Sequence, residues 1–182
     1  MKSLNHLIIA LFALAVFAGM TATASAQGQG AGGAPAQTRR IEPQEFLRLA
    51  YSSAIFQAEA AKLASSRETK PDVRTYATSA ADFRAGFLQR LEAFAKERSL
   101  QLPSMKEFEH RVILENLEPL DYLALSRRYS EIQVQALEQE LRIYRVASEG
   151  PNPELKGFAD QIIPELQRQL EGAQKMHEAV KP

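Results

Sequence analysis

The sequence predicts an all-α protein built as a four-helix bundle, with a short extra helix between the second and third long helices. From Pro43 onward, apolar residues recur three and four positions apart, as on one face of an α-helix. The alternation typical of a half-buried strand is missing. Four segments of roughly 24–30 residues each carry one such stripe, which is the pattern of a helix bundle.

The N-terminal region predicts export. Residues 1–26 contain Lys2, an apolar run from Leu7 to Met20 and an A-x-A site at Ala24-Ser25-Ala26, which together are typical of a secretory signal peptide. The run is shorter than the roughly 20 residues that span a bilayer, although an uncleaved anchor is the alternative. Residues 27–42, rich in Gly, Gln, Ala and Pro, are expected to be a disordered lead-in.

Composition excludes several functions. The 182 residues less the 26 of the leader leave 156, enough for one domain, here assigned to 43–180. Without Lys2 the mature chain has 21 basic and 22 acidic residues, a net charge of −1 that argues against an electrostatic nucleic-acid binder. Cysteine is absent, which excludes disulfides and thiolate chemistry. Only His110 and His177 follow the leader, too few for a three-histidine site.

The first hairpin is predicted from two stripes. Helix 1 is expected over 43–66, with Pro43 in its first turn, and its inward residues are Phe46, Leu49, Ser53, Phe56, Ala60 and Leu63. Helix 2 is expected over roughly 70–98, with Thr69 and Asp72 resembling a capping box. Its stripe is Val73, Tyr76, Ala77, Ala80, Phe83, Phe87, Leu91 and Phe94.

The second half begins with a short helix over about 104–117, opened by a capping box from Ser104 to Glu107. Helix 3 is expected over 119–148, with the stripe Leu120, Leu123, Arg127, Ser130, Val134, Leu137, Leu141 and Tyr144. Helix 4 is expected from a cap at Asn152 to about 179. Pro164 lies inside it and predicts a kink, since it lacks the N–H that would bond the Asp160 carbonyl.

The connection between helices 2 and 3 determines the topology. About 14 helical and six extended residues reach about 41 Å, close to the 43 Å length of a helix of about 29 residues. The connection can therefore travel the length of the bundle, as in ferritin-like folds. The other two connections have only a few residues, so they should form antiparallel hairpins.

Few residues offer metal or catalytic chemistry. Glu107 and His110 form one Glu-x-x-His pair, the type that di-iron bundles use on core helices, but it lies in the short helix and has no second copy. A surface-facing polar side is the alternative interpretation. His177 suits the C-terminal end of helix 4 as a cation. The sequence has no Ser/His/Asp set and no phosphate-binding glycine loop, so we predict no catalytic residue, metal ligand or cofactor.

Polar residues that interrupt or flank the apolar stripes are better candidates for a site: Arg127, Ser130, Gln169, Glu59, Asp82 and Glu165. Interior polar groups must be hydrogen-bonded or paired. One hypothesis is a small polar pocket in which Arg127 binds an anion or an internal carboxylate. The alternative is that Arg127 extends from the bundle edge and pairs with a carboxylate on the next helix.

Seven stretches between residues 48 and 176 also carry a family resemblance: Ala58–Ala64, Val73–Ala77 with Asp82, Leu100–Pro103, His110 with Leu114 and Leu117, Tyr122-Leu123, Leu155–Ala159, and Pro164–Leu166 with Leu170 and Ala173. In order and spacing they resemble an exported bacterial family, domain of unknown function 4142, often labelled an outer membrane protein. The resemblance implies a ferritin-like bundle in the cell envelope, without a settled function.

Three positions depart from the family pattern. Phe83 follows Asp82 where the family has an Asp-His pair, and Ser130 and Gln169 stand where the family has histidines in helices 3 and 4. If those histidines bind a metal or a proton-linked ligand, this chain is expected not to. Positions that share a ligand converge, so Phe83, Ser130 and Gln169 are expected to cluster, with Phe83 filling the volume of the absent ligand. Ser130 and Gln169 would then need partners, either each other or a nearby carboxylate such as Glu59. The alternative is that they lie at different heights.

These features favour an exported, non-enzymatic protein of the bacterial envelope, periplasmic or secreted, with a partner-binding or stress-related role. Its partner is expected to be an envelope protein or a small ligand, not a nucleic acid, and no membrane span is expected after cleavage. One alternative is a ferritin-like metal-binding or oxidoreductase protein. The other is a periplasmic helical chaperone, which needs an exposed apolar or concave face. The oligomeric state is left open.

Overall fold

The computed structural model describes residues 40–181. The predicted signal peptide and most of the predicted lead-in lie outside these residues. Five α-helices follow one another: α1 Pro43–Ser66, α2 Pro71–Glu97, α3 Phe108–Leu117, α4 Tyr122–Ser148 and α5 Pro153–Val180. Residues 40–181 contain no β-strand, and the predicted all-α helical bundle is confirmed. Within the same range, no helix combines the length and the apolar composition needed to cross a membrane.

The four long helices occupy the corners of the bundle. α1 packs along α2 and α4 along α5, while α1 also faces α4 and α2 faces α5. Short connections join α1 to α2 and α4 to α5, so each pair is an antiparallel hairpin. In this arrangement α2 and α4 stand at diagonally opposite corners, and α3 lies against α1 and α4.

The chain between α2 and α4 runs the length of α1, as predicted. At its beginning, the Gln44 side chain donates to the Gln101 carbonyl over 2.7 Å. At its end, the Arg67 side chain donates to the carbonyls of Glu118 and Leu120. Gln44 and Arg67 stand at opposite ends of α1, so these contacts place the two ends of the connection at opposite ends of the bundle.

Two predicted capping boxes are wrong, because distant side chains bond the cap residues of these helices, although the start of α2 itself lies within one residue of its prediction. α2 begins after Lys70, whose N–H is bound by the Ser126 hydroxyl of α4 at 2.9 Å, while the Thr69 hydroxyl donates back to the Ala64 carbonyl. α3 begins at Phe108, four residues later than predicted. Its cap residue Glu107 makes no side-chain cap bond. The backbone N–H of Glu107 instead donates to the Ser52 hydroxyl of α1 at 2.7 Å.

The ends of the later helices follow the sequence more closely. The Asn152 side chain accepts the N–H groups of Glu154 and Leu155 at 3.1 and 2.9 Å, which confirms the predicted cap of α5. α4 begins at Tyr122, three residues after the predicted start. α5 continues through Pro164 without a break in the helix, and the bend there stays a prediction.

The core contains most of the residues predicted for it. Six large apolar residues of the predicted stripes are buried: Phe46, Phe56, Phe87, Leu91, Leu137 and Leu141. Phe158 of α5 is partly buried and packs against this core. At one level Phe46 meets Tyr144 edge-on with ring centroids 4.9 Å apart, and Phe94 and Phe158 each at 6.2 Å. Aromatic packing therefore joins all four corners at this level.

Candidate functional site

Three long helices each place a polar residue inside their buried stripe at strict three–four spacing. The buried stripes are Phe46, Ala50, Ser53, Gln57, Ala60 and Ala64 in α1; Val73, Ala77, Ala80, Arg84, Phe87, Leu91 and Phe94 in α2; and Ser130, Gln133, Leu137, Glu140, Tyr144 and Ala147 in α4. Because these polar residues share the spacing of their apolar neighbours, the helices carry them into the core.

Arg84, Glu140 and Gln57 form one hydrogen-bonded network at the centre of the bundle. The Arg84 Nη1 and Nη2 atoms donate to Glu140 Oε1 and Oε2 at 2.9 and 2.7 Å, and Nη2 also donates to Gln57 Oε1 at 2.6 Å. Gln57 Nε2 donates to Glu140 Oε2 and to Ser53 Oγ, both at 2.9 Å. The ion pair links the diagonal helices α2 and α4, and Gln57 joins α1 to them.

The network is isolated from water. Arg84 is 2% and Glu140 1% exposed. Taking two charges out of water costs several kcal/mol each, and the interior repays this only when geometry is good and the remaining polar atoms are bonded. Both carboxylate oxygens are bonded here, and the guanidinium carbon lies 5.3 Å from the ring centroids of both Phe83 and Phe87. The guanidinium of Arg84 is thus hydrogen-bonded along its edge, and the rings of Phe83 and Phe87 pack against it.

This bonding limits the chemistry of Glu140. A general base must lie within reach of a substrate proton, and a metal ligand needs an oxygen that can face the ion. Both oxygens of Glu140 instead accept from Arg84, so the guanidinium stands where a cation would bind. The described part of the chain, residues 40–181, contains no group of three or more His, Asp or Glu side chains that could hold a metal ion.

Three buried polar atoms along α4 have no hydrogen-bond partner among the described residues: the Tyr129 and Tyr144 hydroxyls and Gln133 Nε2. Burial raises the pKa of both tyrosines well above the usual value, and Glu140 raises that of Tyr144 further. Both phenols are therefore neutral donors. A buried unpartnered polar group costs about 1–3 kcal/mol, and ordered water is the usual remedy.

The six predicted polar candidates do not form one pocket. Only Ser130 is buried, and Asp82 is exposed. Lys106 binds Glu59 at the surface, at 2.9 and 3.0 Å. Glu165 is half-buried, and its two carboxylate oxygens accept hydrogen bonds from the two terminal nitrogens of Arg90, each at 2.7 Å.

Arg127 lies at the bundle edge, which matches the alternative interpretation in position but not in partner. Its side chain is exposed, and its Nε donates to the Val180 carbonyl at 3.3 Å. This contact joins α4 to the last turn of α5. The predicted stripe of helix 3 is therefore wrong at Arg127. Tyr129, Gln133 and Glu140 of α4 face the core, and Arg127 does not.

The predicted cluster of Phe83, Ser130 and Gln169 is wrong for its two polar members. Ser130 Oγ lies 3.0 Å from His177 Nδ1, whereas the Gln169 carbonyl accepts from the Tyr76 hydroxyl at 3.2 Å. His177 and Gln169 are eight residues apart, about 12 Å along the axis of α5. The contacts of Ser130 and Gln169 therefore lie at different heights, while Phe83 packs beside the buried guanidinium.

The Glu-x-x-His pair is divided between two different contacts. The Glu107 carboxylate accepts from Arg48 at 2.5 Å. His110 Nδ1 lies 2.7 Å from Ser52 Oγ, and its ring stacks on Phe56 with centroids 4.9 Å apart and planes within 3°. Glu107 is therefore on the polar side, as in the alternative interpretation, but His110 faces inward and anchors α3 to α1.

Burial lowers the pKa of His110 below the ordinary value of 6.5, against the opposing effect of Glu107, Glu109 and Glu140; Lys106 lowers it further. The folded protein thus binds fewer protons than the unfolded chain just below pH 6.5. The contribution of His110 to the free energy of unfolding is complete above pH 6.5, and it decreases as the pH falls through the pKa of His110 in the folded protein.

We therefore expect His110→Gln to make the unfolding free energy less dependent on pH below 6.5. The measurement is urea denaturation at several pH values between 7.5 and 5. Gln167→Ala, an exposed change on α5 that removes no titrating group, is the control and should keep the wild-type pH dependence. An unchanged slope in His110→Gln would contradict the expectation.

The residues predicted for a site do not include Arg84, Gln57 or Glu140. The predicted stripe of helix 2 passes through Phe83, one position from Arg84, because an apolar residue matches a core position better than an arginine does. The strict three–four series from Val73 to Phe94 passes through Arg84 and would have identified it. The same three–four series in α1, continued from Phe46, passes through Gln57.

The comparisons with known proteins identify the family. The model of a domain of unknown function (DUF4142) matches residues 25–176, which include α1 to α4 and most of α5. No curated protein and no solved structure matches the chain. Since the family model covers well over half of the sequence, including every residue of the buried network, the chain belongs to the DUF4142 family.

Proposed function

We propose that this protein is an exported, non-enzymatic helical-bundle protein of the bacterial envelope that acts by binding a partner, either an envelope protein or a small ligand. The observation that carries the proposal is the Arg84–Glu140 pair. A metal-binding bundle directs carboxylates at an ion in its centre. Here the central carboxylate has both oxygens bonded to an arginine, and the buried charges hold helices together.

An exposed apolar surface supports a binding role. Most large apolar side chains of the described residues are buried or partly buried, but Met105 is 70%, Phe108 66%, Tyr122 44% and Leu102 39% exposed. Three of these four, Leu102, Met105 and Phe108, lie within seven positions of one another in the sequence, in and just after the segment between α2 and α3. Apolar side chains grouped on a surface mark interaction sites more often than scattered ones do.

The binding role is tested with envelope extracts. The wild-type mature protein should retain one or more envelope components that the double variant Met105→Glu/Phe108→Glu does not retain. Ala85→Glu, an exposed change on α2, is the control and should behave as wild type. Identical retention by all three proteins would contradict the role of this surface. Stoichiometric iron or manganese in the purified protein would overturn the proposal in favour of the metal-binding alternative.

Export makes a separate prediction. Cleavage is expected between Ala26 and Gln27, so N-terminal sequencing of the exported protein should begin at Gln27. Ala26→Phe should block processing, because the residue before the cut must be small, whereas Ser25→Phe should still be processed. A mature protein that begins at Met1 would contradict the prediction and support an uncleaved anchor.

A further inference from the structure

Met105 presents an exposed sulfur atom in a chain that has very few of them. The sequence contains no cysteine and four methionines, of which Met1 and Met20 lie in the predicted leader. The other two stand in opposite surroundings, since Met105 is 70% exposed and Met176 of α5 is 3% exposed. Among residues 40–181, an oxidant in the solvent therefore meets one accessible thioether, at Met105.

Contacts with α1 on both sides of Met105 hold it at the surface. Before it, the Gln44 side chain donates to the Gln101 carbonyl at 2.7 Å and accepts the Gln101 N–H at 3.1 Å. After it, the Glu107 N–H donates to the Ser52 hydroxyl at 2.7 Å. These bonds tie the backbone to α1 at both ends of a short segment, so the exposure of Met105 does not come from a long free loop.

Met105 lies midway along the exposed apolar segment that runs from Leu102 to Phe108. Methionine suits a binding surface because its unbranched thioether adapts to the shape of a partner. The same sulfur is the one atom of this segment that a mild two-electron oxidant converts from an apolar to a polar group. The segment therefore combines a binding surface with a chemical means of changing it.

Hydrogen peroxide performs this conversion by transferring one oxygen atom. The sulfur lone pair attacks a peroxide oxygen, the O–O bond breaks, and the leaving hydroxide takes the proton of the new S–OH group to form water. The sulfur loses two electrons and the peroxide gains them, so the products are methionine sulfoxide and water. The sulfoxide oxygen is a polar acceptor, and burying it against an apolar partner without a donor costs free energy.

We propose that Met105 is an oxidation site that controls binding by this surface: its conversion to the sulfoxide by a peroxide weakens the contact with the partner at least about fivefold. This control rests on the binding function proposed above and adds a chemical signal to which that function responds. Enzymes that reduce methionine sulfoxide restore the thioether, so the change is reversible. Met176 takes no part, because the bundle shields its sulfur.

The test treats the mature protein with hydrogen peroxide and follows both methionines by peptide mass spectrometry. Met105 should gain one oxygen at least about tenfold faster than Met176, which reacts only when α5 opens locally. The oxidised and untreated proteins are then compared on a phenyl-substituted resin and with envelope extract. The oxidised protein should elute earlier from the resin. At limiting protein, it should retain at least about fivefold less of each component that the untreated protein retains through this surface.

Three variants assign the effect to one sulfur atom. Met105→Leu keeps an apolar side chain that peroxide does not oxidise, so it should behave as the untreated wild type before and after treatment. Met105→Gln imitates the polarity of the sulfoxide and should behave as the oxidised protein without peroxide. Met176→Leu should respond to peroxide as the wild type does.

The outcomes distinguish this control from the binding function itself. Equal oxidation rates at Met105 and Met176, equal binding by the oxidised and untreated proteins, or a loss of binding in peroxide-treated Met105→Leu would each overturn the inference and leave the proposed function standing. An untreated protein that retains no envelope component would instead contradict the proposed function, and the inference with it.

Discussion

Replacing Arg84 by methionine is expected to lower the free energy of unfolding by about 3–5 kcal/mol. Methionine has a similar volume, so the loss comes from charge, not from a cavity. It leaves Glu140 buried with only Gln57 as a donor, and an uncompensated buried carboxylate is strongly destabilising. Urea denaturation of the mature protein, with the midpoint and slope analysed together, measures the change.

Two further variants show whether the loss of stability comes from the unpaired charge of Glu140 or from a general disruption of the fold. The triple variant Arg84→Met/Glu140→Met/Gln57→Leu removes both charges and the amide, and leaves only the Ser53 hydroxyl without its Gln57 partner. It should recover most of the loss, since apolar replacement of a buried ion pair is often neutral or stabilising. Arg90→Met is the matched control. It breaks a bidentate pair with Glu165 of the same geometry but partly exposed to water, and should cost less than about 1 kcal/mol. A triple variant as unstable as Arg84→Met would contradict the mechanism.

Truncating Phe46 to alanine is expected to cost about 3–5 kcal/mol. The ring has no exposure and meets Tyr144, Phe94 and Phe158. Its removal therefore leaves a cavity and also eliminates edge contacts that add about 0.5–1.5 kcal/mol each. The same denaturation measurement applies.

The exposed Phe108 provides the control for this prediction. Phe108→Ala removes the same group from the surface and should change stability by no more than about 0.5 kcal/mol. Phe158→Ala should give an intermediate loss because its ring is only partly buried. A loss below about 1 kcal/mol for each of Phe46, Phe87 and Phe158 would show that the core has been misassigned.

The helices could be predicted closely where local chemistry determines them. Pro43, Pro71 and Pro153 each stand in a first turn, and Asn152 caps α5 with its own side chain. The starts of α3 and α4 could not be placed as well. The Ser104–Glu107 pattern matches a capping box, but the N–H of Glu107 is satisfied by α1, and no local pattern reports a partner on another helix.

The site was harder to predict because its partners lie far apart in the chain. Arg84 and Glu140 are separated by 56 positions, and a single sequence gives no sign of which charges meet. Periodicity can show that Arg84 falls on a buried stripe, but an apolar neighbour such as Phe83 fits a slightly rotated stripe equally well. Only the packing of α2 against α1 and α5 determines which of the two faces the centre.

The contact that completes the start of α2 bears on how the chain folds during its synthesis. Ser126 binds the N–H of Lys70, so the beginning of α2 lacks this partner until α4 has been made and has docked. The Arg84–Glu140 pair at the centre of the bundle likewise cannot form until α4 has been made and has docked. Until α4 is present, Arg84 has no carboxylate partner, and we expect the α1–α2 hairpin to remain loosely packed. A chain that becomes compact only when nearly complete stays unfolded for most of its synthesis, which is the condition that the export proposed for this protein would require.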